Sequence, residues 1–183
     1  MTQIRTGQIL LIICCIFYLM WWGLMFYPAR GDNHSSGLGT VLLLITAAFG
    51  MAGIAMDVTA MMQSDAERGF IPGIVILIAG ITVYILLMFG TKIFLHRIVT
   101  TELMLIMGWT MLEVAVANTA CGYGVFSGSA VVLFLIIVGI AAVSSLVLYL
   151  MYYNVKPATG YIFGMIPLIT EAITMGVFII MTR

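Results

Sequence analysis

The chain has 183 residues, 63% of them hydrophobic and only 8% charged, with a formal net charge of zero and a mean hydropathy of +1.22. Soluble domains carry roughly 25% charged residues, so this composition excludes a water-soluble globule, whose surface would have too little polar material to present. The absence of any basic cluster also excludes nucleic acid and argues against a polybasic patch for acidic lipids.

A helix needs about twenty residues to cross a hydrocarbon core of roughly 30 Å. Six apolar runs reach that length, at residues 8–28, 38–61, 70–91, 98–121, 129–153 and 160–182. Only helices and closed barrels satisfy the backbone in lipid, and these runs lack the alternation of a barrel strand. The expected fold is therefore an all-α integral membrane protein, a six-helix transmembrane bundle in one domain spanning residues 1–183, located multi-pass in the cell membrane.

The first run starts at Ile9, after a polar opening from Met1 to Gln8. It is longer than the roughly 7–15 apolar residues of a secretory signal. The exit, Tyr27-Pro28-Ala29-Arg30-Gly31-Asp32, has no small-x-small cleavage pattern, so the run is read as a retained helix. Cys14 and Cys15 are adjacent within it and Cys121 is remote, a spacing that supports neither a metal site nor a disulfide framework.

The breaks between runs are polar or carry glycine and proline. They hold Arg30, Asp32 and His34, then Asp65, Glu67 and Arg68, then Lys92, His96 and Arg97, then Cys121 to Gly128, then Asn154 to Gly160 with Lys156-Pro157 as a helix stop. Arg5, Arg68 and Arg183 fall on the side of the termini, and Arg30, Lys92, Arg97 and Lys156 on the other. The positive-inside rule then favours both termini outside. Trp21, Trp22, Tyr27, Phe94, Tyr149, Tyr152, Tyr153 and Tyr161 all lie near the interface opposite the termini. Anchoring at the headgroup level is the expected role of these rings, with a substrate vestibule at Trp21 and Trp22 as the alternative.

In the second run Gly50, Gly53 and Asp57 share a face, and in the third Gly73 and Gly80 lie seven apart, both signs of close helix packing. Asp57 is near the end of its run, where interfacial water is its simplest partner. The third run opens Gly69-Phe70-Ile71-Pro72 and the sixth carries Gly164-Met165-Ile166-Pro167. That offset suggests two inverted three-helix halves, an arrangement frequent in transporters.

The fourth and sixth runs carry the chemistry. A charge near the bilayer centre costs at least about 2.5 kcal/mol, so intramembrane acids are functional candidates. At 100° per residue, Glu102, Ile106, Trp109, Glu113 and Ala117 form one stripe. Glu102 stands at the start of its run, where an interface or capping role is the plainer reading. Glu113 and Glu171 are deeper and enter from the same side, so they can meet at similar depth. Thr170 and Thr174 flank Glu171, and Pro167 removes a backbone donor one turn before it. The competing reading makes both acids neutral, hydrogen-bonded ties between helices.

HExxH, GxSxG, GxxxxGK[ST] and aspartate-rich motifs are absent, no run contains histidine, and no metal or other cofactor is expected. The function expected from these residues is transport or binding of a small solute in a pocket formed by Glu113, Glu171, Trp109, Glu102, Thr170 and Thr174. Desolvation penalises an anion, so each acid should hold a proton or a bound cation, and the solute should be proton-linked or amine-bearing. The alternatives are a non-catalytic subunit packed on a partner membrane protein or on its own copies and, at greater distance, an enzyme acting on a lipid-soluble substrate.

Overall fold

The computed structural model describes residues 1–27, 37–63, 72–95 and 101–183. They form six helices, α1 (Thr2–Met25), α2 (Gly37–Gln63), α3 (Gly73–Leu95), α4 (Thr101–Gly122), α5 (Gly128–Tyr152) and α6 (Pro157–Met181). All six are long and apolar enough to cross a membrane, and no strand occurs among the described residues. The protein is an all-α, multi-pass membrane protein. Its exposed surface agrees, since Leu44, Met51, Leu86 and Ile93 each present most of their area outward and lipid is the solvent that accepts such faces.

Helix ends depart from the hydropathy runs where winding and apolarity differ. Helix α1 begins at Thr2, six residues before the predicted start. Thr2, Gln3, Arg5 and Thr6 are polar, yet they wind into the helix. Arg5 donates its N–H to the Met1 carbonyl at 3.1 Å, and the Thr6 hydroxyl donates to the Thr2 carbonyl at 3.0 Å. At the other end of the chain Pro157, read as a stop, is the first residue of α6. A first-turn proline loses no helical hydrogen bond, and its fixed φ suits the helix. Pro72 lies just ahead of α3 and accepts the Val75 N–H at 2.9 Å.

The link from α4 to α5 has recognisable chemistry. Gly124 has φ of 70°. Val125 donates back to the Ala120 carbonyl at 3.0 Å and Gly124 to that of Cys121 at 2.9 Å. This pairing closes a helix over a left-handed residue, a place that glycine occupies without steric cost. Ser127 then caps α5, its Oγ accepting the Ala130 N–H at 3.3 Å.

The predicted breaks at 28–36, 64–71 and 96–100 lie outside the described residues, with Arg30, Asp32, His34, Asp65, Glu67, Arg68, His96 and Arg97. Gly69, Phe70 and Ile71 of the suggested repeat lie outside them too. The two prolines of that repeat hold different positions: Pro72 precedes its helix and Pro167 is inside α6.

The chain resolves into two compact units. One comprises Met1–Ala60 and Val147–Met181 with Arg183, the other Met61–Leu146 with Thr182. In the first, α1 packs against α6, and in the second α3 packs against α4. This grouping does not follow the midpoint of the chain.

The first unit is organised along α1. An added Cβ on Gly7 would lie 3.0 Å from the Gly53 carbonyl oxygen, and one on Gly53 would lie 2.9 Å from that of Gly7. The two backbones therefore almost touch. Leu11 covers Gly53, Cys14 approaches Gly50, and Phe17 stacks on Phe49 with centroids 5.7 Å apart. These pairs descend α2 as they climb α1, so the helices are antiparallel. Small residues at a crossing allow the close van der Waals contact that drives helix association in lipid.

In the second unit an added Cβ on Gly80 would meet the Met111 side chain, with Cε at 2.7 Å. Gly73, the other glycine expected to pack, has nothing within 4 Å. Helix α4 is the least apolar of the six and the most enclosed.

Candidate functional site

In the second unit, α4 carries Glu113 twelve residues beyond Thr101, about 18 Å along the axis. Glu113 is 0% exposed. Ile106 and Ala117 on its stripe are buried as well, and so are Val116, Asn118, Thr119 and Ala120. The helix is thus covered on all sides just beyond the acid. Trp109 precedes Glu113 by one turn, and its Nε1 is buried without a hydrogen-bond partner among the described residues. An unsatisfied buried donor costs about 1–3 kcal/mol, so this N–H is a group to which a ligand can bond. Thr110 and Thr119 donate to the Ile106 and Ala115 carbonyls at 2.7 and 2.8 Å, and these hydroxyl protons are already engaged. Glu102 lies in the first turn of α4, and its side chain lies outside the described residues, as does the residue Thr100 beside it.

The same unit contains a residue that sequence reasoning passed over. Ser145 of α5 is fully buried, and its Oγ has no hydrogen-bond partner among the described residues. Its neighbour Ser144 donates to the Ala141 carbonyl at 2.9 Å. Ser144-Ser145 within an apolar run was the available signal.

In the first unit, Glu171 is half-buried on α6, fourteen residues beyond Pro157. Cys14 of α1 lies within its electrostatic reach. The two threonines expected to line a pocket have spent their protons. Thr170 donates to the Ile166 carbonyl and Thr174 to that of Thr170, both at 2.9 Å, which leaves each hydroxyl only as an acceptor. Thr174 and Met175 are buried one turn beyond Glu171. Helix α6 runs continuously through Pro167.

The structure changes the reading of Asp57. It does not meet interfacial water: it is 0% exposed, and its Oδ2 accepts a 3.0 Å hydrogen bond from Nε2 of Gln8, also 0% exposed. Oδ1 presses on Gly7, where an added Cβ would sit 2.8 Å from the carboxyl carbon. Oδ1 has no hydrogen-bond partner among the described residues. The polar start of α1, which hydropathy left outside the span, supplies the amide.

The aromatic end of the first unit is built as packing. Trp22 donates its indole N–H to the Tyr161 carbonyl at 3.1 Å and stacks on Phe26 with centroids 4.3 Å apart. Tyr152 meets its ring edge-on at 6.1 Å. The Tyr149 and Tyr153 hydroxyls share a hydrogen bond of 2.9 Å. With its N–H bonded and one face covered, Trp22 ties α1 to α6. The side chain of Phe94, expected at the same interface, lies outside the described residues.

Glu113 and Trp109 thus belong to one compact unit and Glu171, Thr170 and Thr174 to the other. Compared with family models, with curated proteins and with solved structures, the chain matches none of them.

Proposed function

We propose that this protein binds and moves a small solute across the cell membrane, and that Glu113 and Glu171 carry the solute or the proton coupled to it. The observation that carries the reading is on α4: a carboxyl with no exposed surface, one turn from a buried indole N–H that no group of the protein accepts. An acid and an unsatisfied donor on adjacent turns match a solute offering both a hydrogen-bond donor or positive charge and an acceptor. Such groups are costly in lipid and are kept where something visits them.

Burial favours the neutral form of such an acid unless a cation approaches. The solute class is therefore an amine-bearing molecule, or a neutral molecule carried with a proton. In either case Glu113 exchanges its proton or its counter-ion as the solute arrives.

The subunit reading draws less support. Gly50, Gly53 and Gly80, the small-residue faces it needs, are covered within the chain by Cys14, Leu11 and Met111.

Uptake or binding in proteoliposomes containing Glu113→Gln or Glu171→Gln tests the proposal, with a panel of amines and neutral polar solutes as probes. Loss of uptake or of its pH response in either variant is expected. Unchanged affinity, rate and pH response in both variants removes these acids from the transport path.

A further inference from the structure

The Gln8–Asp57 pair lies at the point where α1 and α2 cross most closely, and it is not among the groups assigned to the solute. A carboxylate needs several donors to replace its water. Asp57 has one, the Gln8 amide on Oδ2, while Oδ1 faces the Gly7 backbone with no partner. Any larger residue at position 7 would displace the acid, since an added Cβ there would sit 2.8 Å from its carboxyl carbon. The crossing thus holds an acid against glycine with a neutral amide beside it.

We propose that Asp57 is a proton-binding site and that Gln8 is the partner that serves both of its forms. Ionised Asp57 accepts from the Gln8 Nε2–H. When a proton is taken from water on the side of the chain termini, the carboxyl becomes a donor, and a half-turn of the Gln8 amide offers Oε1 as its acceptor. A glutamine carries both functions on one planar group, whereas lysine or arginine carries donors alone and would hold the acid ionised. One proton is gained, one hydrogen bond reverses direction, and no other bond changes.

The titratable side chains on the neighbouring helices are Arg5, Cys14, Cys15 and Tyr18 on α1 and Tyr161 and Glu171 on α6, and α2 has none besides Asp57. None of them is hydrogen-bonded to Asp57. Its polar contact is Gln8.

The role of this site as the coupling proton rests on the transport reading, whereas the site itself does not. The test therefore uses no solute. Asp32, Asp57 and Asp65 are the only aspartates in the chain. In Asp32→Asn/Asp65→Asn, carboxyl-¹³C aspartate reports Asp57 alone, with the residue itself unchanged. In the full chain in lipid nanodiscs, the resonance should hold the position of a protonated acid at neutral pH. In Gln8→Met it should convert to the ionised position about one pH unit later, because the anion loses its strong donor while the acid loses only a neutral bond. A wild-type Asp57 already ionised at neutral pH, as aspartate is in water, overturns the proton site. A midpoint unmoved in Gln8→Met overturns the role of Gln8. Either result stands whatever the uptake assays of Glu113→Gln and Glu171→Gln give.

Discussion

Trp22 on α1 fills the notch that Gly164 leaves in α6. A Cβ added to Gly164 would lie 2.9 Å from Cη2 and 3.0 Å from Cε2 of the indole, while the indole N–H bonds the Tyr161 carbonyl one turn away at 3.1 Å. A rigid ring held by a hydrogen bond cannot slide aside. The contact is a lock between two helices remote in the chain, and it accounts for Gly164 without a hinge.

Gly164→Ala should therefore lower stability by about 1–3 kcal/mol, the usual cost of overpacking. Trp22→Phe removes the atoms that clash along with the N–H. The double variant Gly164→Ala/Trp22→Phe should be less destabilised than the sum of its parts. Thermal unfolding of the four proteins in one detergent measures the coupling, and additivity would contradict the lock.

The cost of filling a glycine should follow what it faces. At Gly53 the obstacle includes the Gly7 backbone oxygen, at 2.9 Å, and backbone has little room to yield, so Gly53→Ala should cost about 1–3 kcal/mol. At Gly80 the obstacle is the Met111 side chain, which has other rotamers to adopt, so Gly80→Ala should cost less. Gly139 has nothing within 4 Å, and Gly139→Ala should gain up to about 0.5–1 kcal/mol from backbone entropy. The order of the three melting temperatures is the check.

Gln8→Leu leaves Asp57 buried with no donor, and a loss of about 1–3 kcal/mol is expected. Adding Asp57→Leu replaces the polar pair with apolar volume, which membrane and soluble interiors both accept. Most of the lost stability should return. A double variant no more stable than Gln8→Leu would show that the pair contributes more than its polar atoms.

Trp109→Phe separates binding from folding. It deletes an indole N–H that has no partner among the described residues, so stability should change little. If a solute accepts that hydrogen bond, its affinity should fall by roughly 2- to 10-fold, the equivalent of about 0.5–1.5 kcal/mol. Equal affinity in both proteins would assign Trp109 to packing alone.

Membrane class, helix number and the burden of acids within apolar runs were all legible from composition and run length, because lipid imposes a solvent rule that acts on every residue independently. Glu113 was identifiable on the same ground: a carboxyl amid leucine, methionine and valine is conspicuous wherever the helix turns. Hydropathy misjudged the start of α1 and the role of Pro157, since it measures apolarity, and a polar first turn or an initial proline winds just as well.

Partnership was decided only in three dimensions. Nothing near Asp57 in the sequence announces that its amide partner is Gln8, 49 residues earlier, or that two glycines bring those helices close enough for the bond to form. Nor does the spacing of Gly164 and Pro167 reveal that a tryptophan on α1 occupies the gap. The lipid environment selects residues one by one and is written along the chain. Close contact depends on pairs, and a pair exists only once two helices have met.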